Sequence, residues 1–479
     1  MTAVIGSNVD DVLRTAGGVE LRWDGDTLVA GFPASAPASD VQDAVERLAR
    51  RGAERVRVMR IPDEELQELL SVQDDSGSTV RFEQLQSVVD GAEGPIAELV
   101  ARIIDRAVQL RASDIHIEPG DDGVVVRVRV DGELELLTRQ PVTVGAPLIS
   151  RLKVLANLNI VERRLPQDGQ FSVHAHGRPV DIRLATVATL FGEKVVLRLL
   201  DTRRPAVEIT ALGMHGRALT DFERMLQAPS GMIIAAGPTG AGKTTTMQCA
   251  LRAINSPTRN VSTLEDPVEY VVPGINHIPV NDAIGAGFAT QLRAILRQDP
   301  DVILIGEVRD AETARIGVQA ALSGRLVLTS LHAQDAVSAI ARLVQFGVEP
   351  HLVAASLRGV VAQRLVRRVC PFCAEMYVAT PAERILLGAT AQGDDLRLRH
   401  GAGCALCRGT GFRDRIAAFQ VLDVTAEMRD AIADGAAVRV ILDQAQARGF
   451  TSIAQEAMEL ARAGVTTVAE AMRVVGHDV

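Results

Sequence analysis

The chain has 479 residues, 47% of them hydrophobic, with 51 basic against 60 acidic side chains and a net charge of −9 at neutral pH. That length and apolar content suit two to four folded domains, while the negative charge and only 3% aromatic residues argue against a protein built to track nucleic-acid phosphates, stack on bases or lie on an anionic membrane. No apolar run approaches the ~20 residues of a membrane span, and Asp10 and Asp11 close behind a short apolar start leave no signal-peptide pattern, so a cytoplasmic protein without membrane insertion is expected.

Residues 1–73 combine a strand-like piece, Val19 to Val29 turning at Asp24-Gly25, with an amphipathic helix around Val41 to Arg51, and are expected to form a small domain. The polar run Asp74-Asp75-Ser76-Gly77-Ser78 opens a linker over 74–94. Residues 95–202 read as an α+β unit. Pro95 starts a helix whose Ile96, Leu99, Val100, Ile103, Ile104 and Ala107 fall on one face. Strands follow: Ile115 and Ile117 alternate with His116 and Glu118, and Val124 to Val130 turns through Asp131-Gly132 into Glu133 to Leu137. Val180 to Val187 and Lys194 to Leu200 complete the unit, and Arg203-Arg204-Pro205 marks a second linker over 203–210.

From residue 211 onward apolar runs alternate with helical stretches, the pattern of an α/β domain with a parallel sheet covered on both faces. Its strands include Met232 to Ala236, Val261 to Glu265, Val302 to Ile305 and Leu326 to Thr329, and such a sheet carries its active site at the carboxyl ends of the strands. After the first comes Gly237-Pro238-Thr239-Gly240-Ala241-Gly242-Lys243-Thr244-Thr245, a GxxxxGKT phosphate loop. Its glycines let successive N–H groups face phosphate oxygens at a helix N-terminus, Lys243 is placed to reach the β- and γ-phosphates, and Thr244 to hold magnesium.

After the second strand, Glu265, Asp266 and Glu269 crowd three carboxylates into five residues, which favours a bound cation over a solvated acidic turn. The third ends in Gly306-Glu307, with glycine where many phosphate-loop enzymes keep a magnesium-binding aspartate, so Glu307 is left to carry the metal-side charge. Glu269 and Glu307 are both candidates to orient or deprotonate the attacking water. His332 follows the fourth strand and could donate to the γ-phosphate, although a lone histidine is more often an ordinary core or surface residue; the same holds for His116. Charge on a transferring phosphoryl group is commonly met by arginine, and Arg183 and Arg198 could supply it if their domain closes over the nucleotide.

Four of the five cysteines form two CxxC pairs, Cys370/Cys373 and Cys404/Cys407. In a reducing compartment four such thiolates are better explained by tetrahedral Zn²⁺ than by disulfides, redox-active thiols being the other reading. Pro371 and Gly403 suit the tight turns of that site, Cys249 reads as core, and residues 424–479 read as helical without recognisable chemistry.

Across about residues 95 to 420, the segments Ala112 to Pro119, Arg163 to Gly169 and Gly192 to Arg198 precede the phosphate loop, Glu265 to Glu269, Gly306-Glu307-Val308-Arg309-Asp310 and the His332 segment. In that order they resemble the type II secretion and type IV pilus assembly ATPases. The resemblance implies a RecA-like motor domain over 211–479, with a zinc insertion at 370–407 and C-terminal helices at 424–479, hinged to an α+β, PAS-like domain at 95–202. It implies a homohexameric ring with nucleotide between the domains, Arg183 and Arg198 contacting it, Glu269 as general base and Glu307 as the Walker B acid. The implied load is an inner-membrane platform protein, with an adaptor as a further partner, so the motor would sit peripherally at that membrane.

The cysteine pairs resemble an insertion that retraction ATPases generally lack, which favours assembly or secretion. Arg325, where relatives often have histidine, and Phe419-Gln420, where an aromatic-glutamate pair is usual, depart from the pattern away from the phosphate chemistry. The first 90 residues carry no resemblance. Two other readings are a nucleic-acid-translocating motor, disfavoured by charge and aromatic content, and an ATP-gated scaffold without turnover, disfavoured by the intact lysine and glutamates.

Overall fold

The computed structural model describes residues 9, 12–24, 26–51, 53, 55–63, 65–67, 70, 94–200, 208–389 and 396–476. The expected linker segments 74–78 and 203–205 lie outside the described residues. Two compact units divide the chain: Met1–Arg203 with Cys370–Glu375 and Gly401–Arg413, and Arg204–Val369 with Met376–His400 and Asp414–Val479.

In the first unit, β1 (Val19–Asp24) runs antiparallel to β2 (Thr27–Pro33), which pairs in parallel with β3 (Arg55–Ile61). Five consecutive residues of β2, Leu28 to Phe32, are buried, so both faces of this small sheet are covered. The helix Ala38–Arg50 packs Val41, Ala44 and Leu48 against Leu28, Ala30 and Phe32 on one face. The exposed arginines of β3 disguised that strand in the sequence.

A six-stranded antiparallel sheet follows, built from β4 (Asp114–Pro119), β5 (Val124–Val130), β6 (Glu133–Gln140), β7 (Gln167–Ala175), β8 (Arg178–Thr189) and β9 (Gly192–Leu200) in the spatial order β6-β5-β4-β9-β8-β7. Val124, Val126, Val128 and Val130 alternate inward against the helices Gly94–Gln109 and Val142–Leu155. Lys153, fully buried on the second helix, pairs with Glu193 of β9 and donates to Glu162 O at 2.7 Å.

The second unit is a RecA-like α/β layer. Its seven strands are β10 (Gly231–Ala236), β11 (Val261–Glu265), β12 (Asn276–Pro279), β13 (Val302–Ile305), β14 (Leu326–Leu331), β15 (Leu357–Val369) and β18 (Phe412–Asp423), in the order β12-β11-β13-β14-β10-β15-β18. Pairing from β12 through β15 is parallel. Along β10, Met232, Ile234 and Ala236 enter one apolar layer, Ile233 and Ala235 the other, which explains an uninterrupted apolar run. Cys249, on the helix Lys243–Ile254, is buried in the second layer, where burial pushes its thiol up to about 11.

Between the cysteine pairs, β16 (Ala374–Val378) and β17 (Arg397–Gly401) form a two-stranded ribbon. The C-terminal region is helical as expected, with helices Ala426–Ala433, Val438–Ala447, Ile453–Arg462 and Val468–Val475. The last is anchored to β15: buried Glu470 accepts from Arg367 at 2.7 Å, and Thr466 Oγ1 donates to Arg367 O at 2.7 Å.

Candidate functional site

Because β11, β13, β14 and β10 are adjacent and parallel, the loops leaving them open on one edge of the sheet. The loop after β10 turns through Gly237, Gly240 and Gly242, whose φ angles of 149°, 76° and 90° suit glycine. A Cβ at Gly237 would lie 2.7 Å from Gln363 O, so this glycine also permits close backbone approach. Gly242 N-caps the helix Lys243–Ile254, directing its N-terminus at the loop. Lys243 Nζ donates to Gly237 O at 2.8 Å and Pro238 O at 2.9 Å. Burial lowers its pKa, and the charge of Glu307 opposes the shift. Pro238, Thr239, Gly240, Thr244 and Thr245 are exposed, while Ala241 is buried.

Glu307, two residues beyond β13, accepts from Arg309, which also donates to Asp266 Oδ2 at 3.3 Å. His332 Nε2 lies 3.6 Å from the other Glu307 oxygen. One arginine therefore ties the carboxylates after β11 and β13 together, with His332 alongside. Glu265 is buried at the end of β11, where its Oε1 accepts from Thr263 Oγ1 at 2.6 Å and lies 3.0 Å from His277 Nδ1. Since His277 Nε2 accepts from Val272 N–H at 3.0 Å, its ring proton sits on Nδ1 and is donated toward Glu265. Glu269 stands partly exposed in the loop between Glu265 and Val272.

The glycine noted before Glu307 has a steric reason. A Cβ at Gly306 would fall 3.1 Å from Leu264 O and 3.4 Å from Glu265 Cα, so β11 crowds the position. Sequence reasoning assigned no role to Arg309, His277 or Gln363. Arg309 stood beside Glu307 and could have been flagged as its partner; Gln363 lies on β15, a strand that was not foreseen.

In the first unit, Arg183 of β8 is directly opposite Arg198 of β9, on one face of the six-stranded sheet. Arg198 Nε donates to Asp114 Oδ1 at 3.0 Å, and Asp114 Oδ2 accepts from Ser113 Oγ at 2.8 Å. His116, on the same strand as Asp114, has both ring nitrogens buried without a hydrogen-bond partner, and burial holds it below the ordinary histidine value.

All four paired cysteines are buried, with sulfurs within 4.8 Å of one another. Sγ separations are 3.8 Å for Cys370–Cys404, 3.8 Å for Cys373–Cys407 and 3.7 Å for Cys404–Cys407. A tetrahedron with Zn–S arms of about 2.3 Å has edges of about 3.8 Å, so the residues fit that ion. The N–H groups of Cys404 and Gly411 donate to Cys407 Sγ at 3.1 and 3.3 Å, the kind of contact that favours a thiolate sulfur.

A parallel sheet bearing a phosphate loop, two acidic strand ends and a following histidine defines a RecA-like P-loop ATPase. Residues 90–473 match the family described as type II/IV secretion system protein, and the chain belongs to it. It is 39% identical to type II secretion system protein E of Dickeya dadantii over 443 residues, covering 91% of this chain and 88% of that one. It is 40% identical to the type IV pilus assembly ATPase PilB of Myxococcus xanthus, covering 83% and 70% respectively. Among solved structures, the pilus retraction motor PilT with bound ADP matches at 25% identity and a TM-score of 0.53, covering 79% of this chain and 97% of that one. The Legionella pneumophila ATPase DotB shares the fold at 20% identity and a TM-score of 0.59, covering 78% and 95%. Among the described residues no helix is long and apolar enough to cross a membrane.

Proposed function

We propose that this chain is the ATP-hydrolysing motor of a type II secretion or type IV pilus assembly machine. It works as a homohexamer, peripheral to the inner membrane, on a platform protein and with an adaptor. The observation that carries the reading is the meeting of Lys243, Glu307, Asp266 and His332 at the edge of four adjacent parallel strands. The phosphate loop Gly237 to Thr245 binds the triphosphate, and Thr244 and Glu307 would hold magnesium, which when bound would supply charge neutralisation for phosphoryl transfer. Glu269 orients or deprotonates the attacking water, and Glu265 with Asp266 holds the acidic loop that carries it. His332 senses the γ-phosphate, and Arg183 and Arg198 reach the nucleotide when the α+β domain of residues 95–202 closes on the motor domain of residues 211–479. Cys370, Cys373, Cys404 and Cys407 hold structural zinc, the mark of an assembly or secretion motor.

Magnesium-dependent phosphate release from purified protein tests this directly. Lys243→Ala is expected to abolish it, and retained turnover would reject the reading. Glu269→Gln is expected to bind ATP and turn over slowly; a wild-type rate there, with loss in Glu307→Gln, would move the base role to Glu307.

A further inference from the structure

The small sheet β1–β3 has two apolar faces, and they are covered differently. The helix Ala38–Arg50 takes the face of Leu28, Ala30 and Phe32. The opposite face, Val19, Leu21, Val29 and Ile61, shares a single buried cluster with Leu66 of the same domain, Leu406 and all four paired cysteines. The cysteine knuckle therefore completes the core on this face of the domain, beside Leu66. The knuckle consists of two short segments, Cys370–Glu375 and Gly401–Arg413, too few residues to fold around an apolar core of their own, and such modules take their folding energy from the metal.

Charge points the same way. Zn²⁺ with four thiolates carries a net charge of −2. Arg22 of β1, only 13% exposed, pairs with Glu375 at 2.8 Å and Asp24 at 3.1 Å, and lies close enough to Cys373 for their charges to interact. Its Nε is buried without a hydrogen-bond partner. Arg413, 11% exposed, donates to Leu406 O at 3.0 Å and pairs with Glu65 at 3.5 Å. Each of these two sparsely solvated guanidinium groups is thus tied to both the knuckle and the N-terminal domain.

We propose that metal loading of the tetracysteine centre clasps the N-terminal domain, so that zinc holds residues Val19 to Leu66 docked and its loss releases them. The clasp rests on the zinc reading of the centre given above. Coupling of this kind is reciprocal: if zinc favours docking, docking retains zinc by the same factor.

The test is hydrogen exchange on full-length protein whose zinc content is first measured. Chelation is expected to strip protection from amides of β1–β3 by ~10-fold or more, to leave β4–β9 and β10–β14 unchanged, and to be reversed by added zinc. In zinc-loaded protein, unchanged protection of β1–β3, or equal loss across every strand, overturns the clasp alone. A freshly purified protein without zinc overturns the metal reading and the clasp together. Arg22→Met keeps the packing and removes the charge. It is expected to release zinc to a chromophoric chelator ~5-fold faster or more, and wild-type zinc retention counts against the proposal.

Discussion

Gln363 braces the phosphate loop from β15: its Nε2 donates to Ala241 O at 2.7 Å, while its Oε1 accepts from Thr246 Oγ1 at 2.8 Å. Both side chains are about 1% exposed, so leucine at 363 would strand a buried carbonyl and hydroxyl at ~1–3 kcal/mol each. Gln363→Leu is expected to lower the melting temperature and weaken nucleotide binding ~10-fold, read by titration with a fluorescent ATP analogue. Wild-type affinity would show that the loop holds its shape unaided.

Arg309 joins Glu307 to Asp266, and without it two carboxylates face each other uncompensated. Arg309→Ala is expected to reduce turnover ~10²-fold with little effect on stability, because a misplaced carboxylate costs rate more than fold. Equal rates in steady-state phosphate release would remove Arg309 from the site.

Aspartate at 306 would restore the residue common in related phosphate-loop enzymes, yet its Cβ would crowd Leu264 O and the Glu265 backbone. Gly306→Asp is expected to destabilise the protein by ~1–3 kcal/mol, measured as a lower urea midpoint. A midpoint at or above wild type would show that β11 yields.

Burial disfavours charge on Glu470, but hydrogen bonds from Arg473 and Arg367 outweigh it and hold its pKa at about 2. Its folded pKa lies below the ordinary value of 4.5, so this stabilisation is fully present above about pH 4.5 and is lost as pH falls toward 2. Glu470→Gln is expected to flatten the stability profile between those values, and matching slopes in acid titration would contradict the clamp.

The legible parts of this protein were those whose physics is local. A buried parallel strand shows as an apolar run and a phosphate loop shows as spaced glycines, so β10, β11, β13 and β14 were found within a residue or two at most positions. β15 and β18 were not, because arginines interrupt their apolar runs. With β15 went Gln363, whose contact with Ala241 spans 122 residues and leaves no trace in spacing. β3 was missed since only its last residue, Ile61, is buried. The four-cysteine grouping was read from two CxxC pairs, whereas the sheet packed upon it was not, since apolar residues do not name their neighbours.

Cys249 bears on how this protein can be labelled. With its thiol pushed up to about 11 by burial, on the order of one molecule in ten thousand presents a nucleophilic sulfur at pH 7. If zinc occupies the four paired sulfurs as proposed, a maleimide dye would find little competition for a cysteine introduced on the surface, and motions of the motor can be followed without first stripping the native residues.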